Sequence, residues 1–172
     1  MRWESLFSDL EGQAAAVRDD EWRAEVSERT RGERAAVDLS SRIAAARGAA
    51  VTIVLSDGSR VAGVLEDSTH AWLLVVESVN REHLVPLHAV VSVTGLSGPA
   101  HHTTEVERRL GLSHALRALS RDRARVRVRT AGAEVHGVIA RVLADHIDVA
   151  TDEGRGGPVA VPLGAIVEVV SA

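Results

Sequence analysis

Apolar and polar residues alternate over short stretches of this chain, and one such stretch returns later in altered form. Residues 51–63 read VTIVLSDGSRVAG, and residues 125–137 read RVRVRTAGAEVHG. Alternation with a period of two is typical of β-strands that bury one face. Matching positions lie 74 residues apart early in each copy and 76 apart later, as Val91 and Val167 do. The pattern predicts a duplicated β unit of about 48 residues.

Each copy contains five apolar stretches separated by turn residues. Asp57-Gly58 lies between two of them and predicts a tight hairpin turn, because glycine adopts positive φ easily. Gly63 and Gly137 lie inside strands and predict sharp bends that let a short sheet curl. In both copies a proline ends the fourth strand, and Leu-x-Ala then forms a single turn. The predicted strands of the first copy are 50–56, 60–67, 72–77, 83–86 and 90–94.

The remaining segments have helical patterns. Residues 1–47 have apolar positions at helical spacing near both ends and a highly charged centre. They predict a helix that is either a coiled-coil element for self-association or a solvated helix with two ends packed on the β units. The segment 98–122 predicts a helical connector with Ser113 as N-cap. The predicted fold class is α+β, with an N-terminal helix (1–47), two five-stranded barrels (48–97 and 123–172) and the connector (98–122).

The first copy resembles a known family. The run from Leu55 to Leu65 has the pattern LxDGxxxxGxL and resembles the first motif of the Sm-like fold. The resemblance implies a small, strongly bent Sm-like or SH3-like barrel in each copy. The RNA-reading residues of that family do not carry over, because Thr69, Leu73 and residues 86–89 stand at their positions. The whole chain also resembles proteins of high-GC bacteria sometimes labelled Fis-type transcriptional regulators, but no helix-turn-helix pattern is present.

The third strand of the first copy has an apolar outer face. If Leu73 and Val75 point inward, their neighbours Trp72, Leu74 and Val76 point outward, where the second copy has His, Asp and Ala. An apolar face of this size is not left in water. It predicts a contact surface covered by the N-terminal helix, by the other barrel or by a protein partner.

Positive charge is concentrated in the middle of a chain whose net charge is −4. Residues 101–130 carry eight arginines and three acidic residues. Three of these arginines share one face of a predicted strand, and two precede them on the connector. This row could follow a phosphate backbone, or it could be a solvated strand edge whose charge prevents aggregation. The candidate nucleic-acid-binding residues are Arg117, Arg121, Arg125, Arg127 and Arg129.

The composition removes several classes of chemistry. The chain has no cysteine, so disulfides and thiolate metal sites are excluded. The adjacent His101 and His102 cannot both face one site from a regular helix, so no metal site is assigned. There is no P-loop, dinucleotide fingerprint or nucleophile elbow. We therefore predict no catalytic residues, no cofactor and no small-molecule substrate.

Neither an apolar signal core nor a run of about 18 apolar residues is present, which predicts no membrane association and a cytoplasmic location. The predicted function is a non-enzymatic binding or assembly module. It acts through protein contacts of its barrels and N-terminal helix, with an unknown partner or a second copy. The alternative is an RNA- or DNA-binding protein that uses the arginine-lined strand of the second barrel.

Overall fold

The computed structural model describes residues 22, 37–96, 110–151 and 157–171. The chain divides into two units, Met1–Asp38 and Leu39–Ala172, and the elements named below belong to the second. In chain order they are α1 (Leu39–Ala44), β1 (Ala50–Leu55), β2 (Arg60–Ser68), β3 (Trp72–Ser78), β4 (Arg81–Pro86), β5 (Val90–Thr94), α2 (Leu112–Arg121), β6 (Arg125–Thr130), β7 (Glu134–Val142), β8 (His146–Thr151), β9 (Val159–Pro162) and β10 (Ile166–Ser171).

The ten strands form one antiparallel sheet in the order β5-β1-β2-β3-β4-β10-β6-β7-β8-β9. The predicted α+β fold with two five-stranded barrels joined by a helical connector is therefore wrong. The sheet continues from the first half (β1–β5) into the second (β6–β10) because β4 pairs with β10, with Val169 opposite Leu84 and Val170 opposite His83. We call this pair of strands the junction. Pairing satisfies the backbone N–H and C=O groups that each strand would otherwise leave open at an edge.

The two halves have the same internal strand order. β1 lies between β5 and β2, and β6 likewise lies between β10 and β7. Pro86 and Pro162 end β4 and β9, and a single 3-10 turn follows each, as the Pro-Leu-x-Ala pattern predicts. The strands predicted for the first copy differ from the observed ones by at most two residues at either end. Local turn chemistry therefore sets the strands, whereas the contact between β4 and β10 sets the architecture.

Two apolar cores lie on the sheet, and each takes residues from both halves. Leu73 and Val75 are buried in the first core, as predicted, together with Val167 from β10. The second core includes Trp72 and Leu84 from the first half. A unit of about 50 residues buries too little apolar surface to offset its chain entropy comfortably. Sharing residues across the junction gives both halves a larger core.

Gly63 and Gly137 occupy equivalent places in the two halves. A Cβ at Gly63 would collide with the carbonyl of Val76, and a Cβ at Gly137 would collide with the carbonyl of Ala150. Each glycine lies in a strand whose neighbour approaches it through backbone atoms. Only a residue without a side chain fits there, which explains a glycine inside a strand where it would otherwise weaken pairing.

The helices differ from the prediction. The predicted N-terminal helix, residues 1–47, lies largely outside the described residues, and α1 is the six-residue helix within its described part. α2 begins after an extended N-cap at Gly111, two residues before the predicted cap at Ser113. Its buried Leu116 belongs to the second core. No helix in the described ranges is long and apolar enough to cross a bilayer.

Candidate functional site

The junction brings charged side chains of both halves into the interior. The side chains of His83 on β4 and Glu168 on β10 are 7% and 2% exposed. His83 Nδ1 lies 2.6 Å from Glu168 Oε1, and its Nε2 lies 3.0 Å from Glu77 Oε2 on β3. The imidazole is therefore held between two carboxylates, one from each half of the sheet.

A second cation reaches Glu168 from the opposite side. Arg129 on β6 places Nη2 2.7 Å from Glu168 Oε2. Its Nε lies 3.4 Å from Asp57 Oδ2, in the turn between β1 and β2, without the geometry of a hydrogen bond. Arg81 Nε lies 3.1 Å from Glu77 Oε2 at the other end. We call the connected side chains the junction network; they are Asp57, Glu77, Arg81, His83, Arg129 and Glu168.

The surroundings of His83 favour its charged form. Its hydrogen bond to Glu168 raises the pKa of His83, burial lowers it, and the hydrogen bond to Glu77 raises it further, so that the net shift is upward from 6.5. A histidine with a raised folded-state pKa stabilises the fold fully below its unfolded-state pKa. That contribution is lost as the pH rises through the folded-state pKa.

Asp57 has a structural role at the turn as well as in the network. Its carboxylate accepts hydrogen bonds from the backbone N–H of Ser59 at 3.0 Å and from the Ser59 hydroxyl at 2.6 Å. Partial burial raises the pKa of Asp57, but these two hydrogen bonds and the charge of Arg129 outweigh it, and the net pKa lies below 3.8. Asp57 and Gly58 therefore form the predicted turn, and Asp57 also contacts Arg129 in the second half.

Of the five predicted nucleic-acid-binding arginines, three lie at alternating positions of β6 and two lie on α2. Arg129 is bound to Glu168 and is 22% exposed in its side chain. Arg127 Nη1 lies 4.0 Å from Glu134 Oε1, while Arg125 is exposed. Arg117 and Arg121 are exposed on α2. Strand spacing placed the three strand arginines on one face, but it did not indicate that an acidic residue of β10 holds one of them.

A groove of about 570 Å³ lies beside the junction and contains part of the predicted row. Arg125 and Arg127 line it, together with Arg81 from β4 and His136 from β7. His136 Nε2 is 2.7 Å from Glu134 Oε1, so the basic lining is partly neutralised. The groove thus joins cationic side chains from both halves of the sheet, and the contribution from the first half was not predicted.

The apolar outer face of β3 is covered within the chain. Trp72 is 7% exposed and belongs to the second core, and its indole N–H donates to the carbonyl oxygen of Leu110 at 3.0 Å. Leu74 is partly buried against the same core, and Val76 is half-buried. Trp72 and Leu74 are therefore covered by the second half of the sheet, which was one of the covers considered from sequence. Trp72 also contacts the residues that lead into α2.

The outer edges of the sheet differ from the junction. Among the described strands, β5 pairs with β1 alone and β9 pairs with β8 alone. Val91 on β5 is 65% exposed, whereas Val167, its counterpart 76 residues later on β10, is buried. Val159 on β9 is 40% exposed, whereas the matching His83 on β4 is buried. The same two strand positions are therefore covered at the junction and open at the ends.

Sequence reasoning missed His83 and Glu168, although an alignment of the two halves carried a signal for them. At the matching positions the other copy has Val159 and Ser92. A histidine and a glutamate within apolar strands, each replaced by an uncharged residue in the other copy, indicate a charge pair specific to one contact. The signal required a comparison of β4 with β9 and of β5 with β10, strand by strand.

Within the described ranges, no three histidine, aspartate or glutamate side chains are grouped so that they could hold a metal ion. His101 and His102 lie outside those ranges. No protein-family model and no curated protein matches this chain.

Proposed function

We propose that the chain is a non-enzymatic assembly module that associates with further copies of itself, β5 of one copy pairing with β9 of the next. The observation that carries the proposal is the pair of open outer strands with exposed Val91 and Val159. The proposal takes the two halves as copies of one unit that resembles the Sm-like family.

Neither outer strand is protected against pairing by charge. Neither β5 (VVSVT) nor β9 (VAVP) contains a charged residue. Natural sheet edges are commonly blocked by charges, bulges or a covering helix, because an open edge offers a row of free backbone hydrogen-bonding groups. Apolar side chains beside such an edge add a second favourable contribution to pairing.

The junction supplies a template for the contact between copies. There, β4, the fourth strand of the first half, pairs with β10, the fifth strand of the second half. The fourth strand of the second half is β9, and the fifth strand of the first half is β5. Transferring the register of Val169 with Leu84 predicts that Val93 lies opposite Ala160 of the next copy. The contact is head-to-tail, so it closes into a ring if the rotation per copy permits and otherwise extends as a filament.

Mass measurement tests the association directly. Light scattering behind a sizing column should give a multiple of 18.3 kDa. Val91→Lys and Val159→Lys should each reduce the mass toward that of one chain, because a charge at an open edge opposes pairing. Val79→Lys is the matched control, because Val79 is 97% exposed in the turn between β3 and β4, away from both edges. A single-chain mass for the unmodified protein over the micromolar range would refute the proposal.

Disulfide trapping tests the register, and the absence of cysteine from the chain makes it clean. Chains carrying Val93→Cys and chains carrying Ala160→Cys, mixed and oxidised, should form the mixed disulfide in preference to either homodimer. Opposed residues of paired strands lie within the Cα separation of about 4.4–6.8 Å that a disulfide spans. Val91→Cys with Ala160→Cys, displaced by two residues, should cross-link poorly. Equal yields from both pairs would contradict this register.

Nucleic-acid binding is the second candidate, and the basic groove is the observation that favours it. Arg81, Arg125 and Arg127 line one concave surface, where they could contact successive phosphates. Glu77 and Glu134 offset part of this charge. We therefore rank it below self-association.

Binding of single-stranded RNA and duplex DNA at two salt concentrations tests this candidate. The affinity of the unmodified protein should fall as the salt concentration rises. The double variant Arg125→Ala/Arg127→Ala should bind more weakly and with a smaller salt dependence, because each phosphate contact contributes to both. Arg60→Ala, at an exposed arginine outside the groove, is the control. Affinity that does not change with the double variant would exclude the groove.

A further inference from the structure

His83 has a carboxylate oxygen at hydrogen-bonding distance from each of its ring nitrogens. A neutral imidazole has one N–H donor and one acceptor nitrogen, whereas the imidazolium has two donors. Carboxylates accept hydrogen bonds and do not donate them while ionised. Both contacts are therefore favourable only when His83 carries a proton, and the neutral ring turns a lone pair toward one of the two glutamates.

The charges that surround His83 balance only with that proton. Glu168 faces it from β10 and Glu77 faces it from β3. Arg129 on β6 neutralises the far side of Glu168, and Arg81 on β4 contacts Glu77. With Asp57 beside Arg129, the junction network then holds three cations and three anions. Deprotonation of His83 leaves one uncompensated negative charge in a largely buried place, which is costly.

The proton lies on the contact that joins the two halves. His83 is opposite Val170 in the pairing of β4 with β10, and its bond to Glu168 crosses between these strands. Three residue pairs form this ladder, with Leu84 opposite Val169 and Glu82 opposite Ser171 as the other two. We propose that His83 is a proton-dependent clamp of the junction: the imidazolium holds β4 to β10, and loss of its proton loosens this pairing while the two halves remain folded.

The clamp is confined to the junction. At the outer edges the counterparts of His83 and Glu168 are Val159 and Ser92, which do not titrate. The inference therefore stands whether or not copies of the chain associate. It adds to the proposed function a way in which pH changes the internal contact without acting on the contact between copies.

Amide hydrogen exchange over pH 5 to 9, corrected for intrinsic rates, measures the clamp directly. Protection of the amides that join β4 and β10 should fall as the pH rises through the folded-state pKa of His83. The fall should be about tenfold for each unit by which that pKa exceeds the pKa in the open state. Amides between β7 and β8 that exchange by local opening, without unfolding of the sheet, should keep their protection. A flat profile at the junction would overturn the proposal.

Two variants separate the clamp from general effects of pH. His83→Gln keeps a hydrogen-bond donor without a titrating group, so the profile at the junction should become flat. His136→Gln removes an exposed histidine that also contacts a glutamate, and its profile should match that of the unmodified protein. A pH-dependent loss that persists in His83→Gln would overturn the proposal.

The histidine resonances of the unmodified protein provide a readout that does not require a stable variant. NMR titration should show one histidine with a pKa above 6.5 whose chemical shift change accompanies changes at β4 and β10 amides. Titration of His83 at or below 6.5 would also overturn the proposal.

Discussion

The junction strands and the outer strands occupy matching positions in the two halves but place different side chains there. β4 and β10 carry His83 and Glu168, which are buried and paired across the contact. β9 and β5 carry Val159 and Ser92 instead, and both are exposed. The contact inside the chain is thus specified by charge, whereas the edges at the ends present neutral and apolar surface.

This difference shows how a sheet made of two similarly ordered halves can distinguish the contact between them from its outer edges. A buried charge pair contributes little net stability, but it strongly disfavours any arrangement that leaves one of its members unpaired. Glu168 buried against a strand that lacks His83 would lose one of its two cationic partners and keep only Arg129. The junction strands therefore select each other, whereas the proposed contact between copies would pair two strands that carry no charge.

The largest expected loss in the free energy of unfolding comes from removing the central carboxylate of the junction. Glu168→Ala leaves His83 and Arg129 without their shared partner, and we expect a loss of about 3–5 kcal/mol in the free energy of unfolding. Ser92→Ala, at the matching position of β5, should change it by less than about 0.5 kcal/mol. Urea unfolding, at concentrations where the mass is that of one chain, measures both. Similar losses in both variants would remove the distinction between junction and edge.

The second-largest expected effect comes from Gly63 and Gly137, which occupy equivalent places in the two halves. Gly63→Ala and Gly137→Ala each force a Cβ into the backbone of the neighbouring strand, so each should lose about 1–3 kcal/mol in the free energy of unfolding. Gly132→Ala is the control, because a Cβ there meets no atom within 4 Å. Urea unfolding should give losses of the same size for Gly63 and Gly137. A large loss at only one of the two would mean that the halves are not built alike.

The smallest effect concerns the turn that contacts the second half. Asp57→Ala should lose roughly 1 kcal/mol at pH 7, because it removes the acceptor of the Ser59 hydrogen bonds. The pKa of Asp57 is depressed, so its contribution is present above about 3.8 and is lost as the pH falls through the folded-state value. The difference between the variant and the unmodified protein should therefore shrink in urea unfolding as the pH falls below 3.8. A difference that stays constant with pH would contradict the role of the charge.

Local features were predictable from sequence. Alternation placed the strands of the first half within two residues, because alternating burial leaves a period-two pattern. The proline that ends the fourth strand of each half correctly predicted the single turn that follows. The exposed-face argument for Trp72 and Leu74 correctly required a cover, and the structure shows it within the chain.

The partner of β4 was not predictable in the same way. Strand pairing is a contact between distant residues, and the period of a strand does not specify which edge it meets. The barrels were expected because Gly63 and Gly137 predict bends that curl a short sheet, yet Leu84 and Val169 are buried together in one shared core. The ion pair of Arg129 was not predictable for a related reason: Glu168, which binds it, lies 39 residues further along the chain.

The exchange of core residues between the halves has a consequence for unfolding. Val167 completes the first core, while Trp72 and Leu84 complete the second, so neither half can lose its fold without opening a void in the other. Calorimetry of the 39–172 unit should show one cooperative transition, with equal calorimetric and van't Hoff enthalpies. A protein cut within the connector would then survive as a tight non-covalent pair of fragments that melts as one body.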